Sequence, residues 1–306
     1  MSKSNDWSII KILAWTESYF KDHSIDSPRL TAEMLLAYCL GIKRLDLYLQ
    51  HDRPLQKNEL SDFKALIKRR IQNEPVAYII GEKGFFDSDF KVASGVLIPR
   101  PDTEIIVEQA LKVLNTCKGD FKPKTVLELG TGSGAIIISL AKAAPNHLYF
   151  ASDISVAALA IAKKNAEIIL SRKIKDSIVF FTGDWFSSLK KVLRFDPVFD
   201  QKFDLIISNP PYIPSRDIQN LQPEIRLFEP MLALDGGRDG FDSFRFILNK
   251  AHHYLVPGGT ILLEMGFDQK EGIKNISKQY PEYQSIEFIR DLAGHNRVAR
   301  IKKSID

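Results

Sequence analysis

Residues 125–134 read Thr125-Val126-Leu127-Glu128-Leu129-Gly130-Thr131-Gly132-Ser133-Gly134. A short run of buried-strand character passes straight into a loop with a glycine at every second place. Glycine lets the backbone approach a ligand closely, and the helical run that follows, 135–144, turns its first N–H groups toward whatever the loop holds. Nineteen residues after Gly134, the next strand-like run, 148–152, ends at Asp153. A carboxylate in that place can accept both hydroxyl hydrogens of a nucleoside ribose. The order strand, glycine loop, helix, strand, acid favours a nucleoside-binding half of a doubly wound sheet over a plain glycine turn. The loop alone leaves the ligand open. Gly130, Gly132 and Ala135 also satisfy the dinucleotide fingerprint in its G-x-G-x-x-A form, so a dehydrogenase stays in play. A P-loop is excluded, because no Gly-Lys-Ser/Thr is present to grip a phosphate.

Downstream, strand and helix continue to alternate. Helical periodicity marks 156–170 and 241–255; apolar runs mark strands at 178–182, 203–208 and 260–265. Residues 284–290 and 297–302, turned through Gly294, predict a terminal hairpin. The pattern predicts an α/β fold: a doubly wound, mostly parallel sheet with helices on both faces and a terminal antiparallel hairpin. Upstream the texture differs. Helical spacing marks 7–20, then 30–40, opened by a capping Ser27 with Pro28 at the first helical position and closed by Gly41. A third helix is predicted from Leu60, Phe63, Leu66, Ile67 and Ile71, ending before Pro75. Gly81, Gly84 and Gly95 then punctuate short apolar stretches. The expected organisation is a small all-α domain over 1–75, a β-hairpin connector over 76–101, and an α/β domain over 102–306.

The strand at 203–208 runs into Asn209-Pro210-Pro211-Tyr212. In such sheets ligands bind at the carboxyl ends of the strands. An amide or aromatic amine nitrogen is a poor nucleophile, because its lone pair is conjugated. The Asn209 side-chain oxygen and the Pro210 carbonyl could accept both of its N–H groups and favour a localised lone pair. Proline lacks an N–H and fixes φ, so the loop presents acceptors rigidly. Tyr212 offers a flat face for a planar group. A rigid Pro-Pro turn with a packing aromatic is the plainer alternative; the position some eighty residues after the glycine loop, on the same predicted edge, favours function.

The 306 residues are 44% apolar and 26% charged, with a net charge of +4. This is ordinary globular composition, and the mild basicity is no nucleic-acid signature. Cys39 and Cys117 lack ligand spacing and read as plain thiols in a reducing compartment. Residues 1–6 carry no apolar signal core or myristoylation glycine, and no apolar run reaches membrane-spanning length. His252-His253 and His295 have no partners at metal-ligand spacing, so no metal is expected.

Asn209-Pro210-Pro211-Tyr212 behind the loop at Glu128 to Gly134 resembles the amino-methyltransferases of DNA adenine, rRNA guanine and protein glutamine. The wider chain resembles the HemK/PrmC family of release factor glutamine methyltransferases. The matching stretches are Leu97 to Glu104, Ser152 to Ser155, Gly183-Asp184-Trp185-Phe186, Ser208 to Ile213, Glu229-Pro230, Leu232 to Gly237, Asp239-Gly240, Pro257-Gly258-Gly259 and Asp291 to Arg297. The resemblance implies a class I, Rossmann-like methyltransferase fold and S-adenosyl-L-methionine as cofactor. It assigns Gly130, Thr131, Gly132, Ser133 and Gly134 to the methionine part, Asp153 to the ribose and Trp185 to the adenine, with Asn209 bordering the same site. It assigns Asn209, Pro210, Pro211 and Tyr212 to the glutamine amide, with Asn209, Pro210 and Tyr212 as the catalytic set, and puts Arg100, Pro101, Thr103 and Glu104 at the substrate mouth. The implied reaction is methyl transfer to the glutamine of the Gly-Gly-Gln tip of class I release factors, in the cytoplasm, with no membrane and no direct nucleic-acid partner. The helical domain would grip the release factor, with a plain stabilising bundle as the alternative. Rivals are a glutamine methyltransferase of a ribosomal protein, a nucleic-acid amino-methyltransferase, which should carry a larger basic face, and an inactive cofactor-binding protein.

Overall fold

The computed structural model describes residues 7–115, 122–189 and 202–305. Cys117 and the N-terminal residues 1–6 lie outside them. The chain divides into two compact units: Met1–Glu82 with Gln222–Phe228, and Lys83–Leu221 with Glu229–Asp306.

The first unit is helical. Ile9–Asp22, Pro28–Leu40 and Lys57–Ile71 occupy the predicted segments, and two short helices, Arg44–Leu49 and Val76–Ile80, add to the expected three. The first is nucleated at its start, where Asp46 accepts the backbone N–H of Lys43. The core is Ile9, Leu13, Phe20, Leu35, Leu36, Phe63 and Ile67. Pro28 does open its helix, and Gly41 closes it at φ +64. Ser27 does not cap through its side chain. Its own backbone is left-handed, and its carbonyl takes the first helical N–H, from Thr31. The basic run Lys68-Arg69-Arg70 is not a freely solvated face. Arg69 forks onto Glu74, and buried Arg70 binds Glu224 at 2.6 Å. With Gln222 donating to Asp26, this pair explains why 222–228 belongs to the helical unit.

Of the stretch expected as a connector, Val76–Ile80 is helix and only β1 (Glu82–Phe85) and β2 (Ser88–Lys91) form a hairpin. The hairpin is no loose linker. Phe85 and Phe90 are buried in the core of the second unit, and Asn165 both accepts from the Lys91 N–H and donates to its carbonyl.

The second unit is a seven-stranded sheet. Its strands are β3 (Thr125–Leu129), β4 (Leu148–Asp153), β5 (Ile178–Thr182), β6 (Phe203–Ser208), β7 (Leu255–Glu264), β8 (Tyr283–Arg290) and β9 (Asn296–Lys303). The order is β5-β4-β3-β6-β7-β9-β8. β3 to β7 run parallel, and β9 enters antiparallel between β7 and β8. This is the arrangement of the class I methyltransferases. Alternate residues of each central strand feed opposite cores. Val126, Ile207 and Leu262 face Ile106, Val107 and Ile137; Leu127, Ile206 and Ile261 face Phe244, Ile247 and Ile273. Full burial of such a side chain contributes about 1.5–3 kcal/mol, so both faces must be covered. The chain reverses direction across the sheet at β3 and β6. Ser208 stands opposite Leu129 on one side and Leu263 on the other, so Gly130 and Asn209 leave the sheet level with Glu264, the last residue of β7. That crevice is where doubly wound sheets bind ligands. No helix among the described residues is long and apolar enough to cross a membrane.

Candidate active site

The loop after β3 is held by its neighbours before any ligand arrives. Gly130 and Thr131 donate their backbone N–H groups to the Ser152 carbonyl at the end of β4, and Thr131 donates its hydroxyl to Glu128 at 2.6 Å. Gly130, Gly132 and Gly134 all have positive φ. At Gly134 a Cβ would also meet Ile138 Cδ1 at 2.6 Å and Ala162 Cβ at 3.2 Å. Glycine is needed there for the turn and for the close packing of two helices. Asp153 bridges the loop to its own strand end. One oxygen accepts the Gly132 N–H and the other the Ser155 N–H, each at 2.8 Å. The Ile154 N–H also reaches the carboxylate, and a lone pair remains for a ligand hydroxyl. Burial raises the Asp153 pKa, with the backbone hydrogen bonds opposing it.

A cleft of about 540 Å³ opens over these residues. Gly130, Thr131, Gly132, Ser133 and Asp153 line one part of it, with Trp185 beside them. Trp185 takes a left-handed backbone, φ +50, and its ring lies 6.2 Å from that of Phe246. A bulky residue held at positive φ is a local strain that a ligand-facing role can justify. Gly134 is not a lining residue; it sits behind the loop, where it spaces the helices.

Asn209 and Pro211 line the other part of the cleft, with Thr103 and Arg100. Pro210 is buried, and neither it nor Tyr212 is a lining residue. The stretch is clamped from outside. Ile213 donates to the Leu234 carbonyl and accepts from the Gly236 N–H, a bridge of strand type between Ile213 and Asp235. Gln269 donates to the carbonyls of Tyr212 and Gly240, both at 3.0 Å, and its own oxygen accepts the Gly266 N–H. Burial drives the Tyr212 hydroxyl well above its ordinary pKa, helped by the charge of Glu264. Arg100 at the rim is ion-paired with buried Glu229, which also accepts the Ile98 N–H. Glu104, expected at the mouth, does not line the cleft. Its carboxylate accepts the Phe86 N–H in the hairpin turn, so it serves the hairpin instead.

Of the four residues expected at the mouth, Thr103 does line the cleft beside Arg100; sequence reasoning missed three residues that hold this site, Glu229, Glu264 and Gln269. Glu264 had a signal. It is an acid inside the apolar run Ile261-Leu262-Leu263-Glu264-Met265, at the carboxyl end of a parallel strand. Among the described residues no group of three or more His, Cys, Asp and Glu could hold a metal ion. His252 is buried, with Nε2 3.7 Å from Glu282, and lies in the helix packed against β7.

The cleft therefore offers backbone donors, a strand-end carboxylate and an aromatic face on one side. On the other it offers a side-chain amide beside a rigid proline pair. The chain matches the family described as PrmC N-terminal domain over residues 11–81, and the one described as methyltransferase domain over residues 120–303. It is similar to the release factor glutamine methyltransferase of Geobacter sulfurreducens, 41% identical over 89% of this chain and 88% of the relative. That of Rhodopirellula baltica is 36% identical over 98% and 99%. In fold it is similar to the hMettl16 catalytic domain solved with the MAT2A 3'UTR hairpin 6, at 13% identity and TM-score 0.50, covering 71% of this chain and 75% of that one.

Proposed function

The chain belongs to the release factor glutamine methyltransferase family, and from that membership we propose that it methylates the side-chain amide nitrogen of the glutamine in the Gly-Gly-Gln motif of class I peptide chain release factors. The observation that carries the reading is the placement of Asn209 and Pro211 in one cleft with Gly130 to Ser133 and Asp153. The cofactor of this reading is S-adenosyl-L-methionine, and the residues fit it. Asp153 has acceptor capacity left for a ribose hydroxyl, the glycine loop leaves room for a close approach, and the Trp185 ring flanks the space an adenine needs. When bound, it supplies a methyl group on a sulfonium, which needs no further activation.

The protein's own contribution is position and hydrogen bonding. Asn209 Oδ1 and the Pro210 carbonyl accept the two N–H groups of the target amide. Both bonds strengthen as the nitrogen's lone pair localises, so they act on the transition state more than on the ground state. Pro211, in the cleft lining, keeps the turn rigid, and Tyr212 backs it from behind the lining. Arg100, tethered by Glu229, borders the entrance. In this reading residues 1–75 form a docking unit and residues 102–306 the catalytic one. Exposed Leu45, Tyr48 and Leu49 of the helical unit provide apolar surface for a protein partner. The reaction belongs to the cytoplasm, where release factors work, and involves neither a membrane nor direct nucleic-acid binding.

The test is transfer of label from S-adenosylmethionine to full-length release factor, beside a factor carrying Gly-Gly-Ala in place of Gly-Gly-Gln. Label confined to the first supports the reading. Equal labelling of both would move the target residue, and labelling only of a ribosomal protein or an RNA would replace the substrate.

A further inference from the structure

Resting on the glutamine-amide reading above, we propose that Glu264 and Thr103 fix which end of the Asn209 side chain faces the cleft, and so act as positioning residues for methyl transfer. A side-chain amide has two ends of nearly equal shape and opposite chemistry. With its oxygen toward the target, Asn209 accepts an N–H. With its NH2 there, it sets donor against donor. Something behind the amide has to choose.

The chooser is a wall of acceptors. Asn209 Nδ2 donates to Thr103 Oγ1 at 3.3 Å. Thr103 is only 4% exposed and ends the short 3-10 turn Pro101–Thr103. Glu264, 3% exposed, stands behind both as the last residue of β7. Thr103 and Asn209 both hydrogen-bond to its carboxylate and hold its pKa down. The Tyr212 hydroxyl adds a long contact, 3.5 Å from Oε1. An ionised carboxylate only accepts. The Thr103 hydroxyl gives its hydrogen to Glu264 and so has only lone pairs left for Asn209. The NH2 end is the one that satisfies this wall, and Oδ1 is left for the cleft.

The arrangement has a cost that stability alone does not explain. Glu264 Oε2 is buried with no hydrogen-bond partner. Burial pushes the carboxyl up to about 7; the charge of Asp102 acts the same way, and Arg297 opposes it. A leucine at the end of an apolar strand would avoid that cost. An acid retained there is accounted for by a task, and orienting Asn209 is the task its hydrogen bonds describe.

The test uses the full-length chain with release factor at about pH 8.5, where Glu264 is ionised. Thr103→Val keeps the shape and removes the hydroxyl; Thr103→Ser restores it. Glu264→Leu removes the carboxylate. We expect Thr103→Val and Glu264→Leu each to lower kcat about tenfold or more, because a flipped amide turns an attraction into a repulsion. Calorimetric affinity for S-adenosylmethionine and the KM for release factor should stay within about twofold of wild type. Thr103→Ser should recover the rate, and the double variant should lose no more than the worse single one, as expected for one relay. The proposal is overturned if the Thr103→Val rate is near wild type, if Thr103→Ser fails to recover it, or if the two losses multiply. Should Glu264→Leu fail to fold, the Thr103 pair decides alone. A wild-type enzyme that labels no glutamine would sink the functional reading instead, and the wild-type lane shows that separately.

Discussion

Asp153 is pulled in two directions by one short side chain. It holds the Gly132 and Ser155 amides and, in the proposed function, accepts from a ribose as well. Removing it therefore loosens the loop as well as deleting a ligand contact. Asp153→Ala should weaken S-adenosylmethionine binding about tenfold or more by calorimetry, on the scale of two lost charge-assisted hydrogen bonds. Asn209→Ala should leave that affinity nearly intact while removing most of the turnover, because its oxygen acts on the transition state. An unchanged affinity in the first variant refutes the ribose assignment; parallel losses of affinity and turnover in the second refute the amide role. The positions of both at strand ends were legible in the sequence, at a spacing set by the local alternation of strand and helix. Glu264 was not singled out, and Thr103 was read only as part of the substrate mouth: their link to Asn209 depends on meeting it across 106 residues on one side and through the β6–β7 register on the other. Glu104 shows the reverse error. It stands next to Thr103 in the chain, yet its side chain leaves in the direction of the hairpin.

At the scale of elements, the strand ends supply the chemistry and the loops behind them supply the rigidity. The loop from Leu234 to Gly240 lies so close to the Asn209–Tyr212 turn that side chains have no room. A Cβ on Gly236 would come within 2.8 Å of Tyr212 Cα, and one on Gly240 within 2.6 Å of the Tyr212 carbonyl oxygen and 2.9 Å of Gln269 Nε2. Gly240 also has φ +80. Gly240→Ala should cost about 1–3 kcal/mol by overpacking and backbone strain, and lower kcat by shifting Tyr212. Cofactor affinity should survive, because the glycine loop lies on another strand end. A variant with lost affinity and preserved kcat would contradict this division of labour. The parallel strands were readable because both faces are buried and their apolar runs are continuous. The final hairpin was readable too, through Gly294. Its order was not: nothing local tells β9 to enter between β7 and β8. The short helix Arg44–Leu49 and the packed state of the hairpin were missed for a related reason. One is too short for periodicity to register, and the other is decided by Phe85 and Phe90 meeting a distant core.

For the molecule as a whole, the site imposes a pH dependence on stability. Two buried carboxyls are left poorly compensated, Glu128 under the glycine loop and Glu264 behind Asn209. Burial pushes the first up to about 8 and the second up to about 7, from 4.5 in the unfolded chain. In the folded state both hold their protons more tightly than in the unfolded chain. Their contribution to stability is therefore fully present below about pH 4.5 and is lost as pH rises through the folded values. Each pKa unit is worth roughly 1.4 kcal/mol, so the combined loss is on the order of several kcal/mol before relaxation reduces it. Other carboxylates held by cations, such as Asp239 beside Arg245 and Asp291 beside Arg297, work in the opposite sense at lower pH. The ligand-free α/β unit should accordingly melt at its highest temperature in mildly acidic buffer and lose stability from about pH 5 to 8. Glu128→Gln keeps a hydrogen-bonding oxygen for Thr131 and cannot titrate. It should flatten that slope and raise the melting temperature most above pH 8, as read by calorimetric scans across the range. A slope unchanged by the substitution would show that Glu128 is not the group whose deprotonation the fold resists.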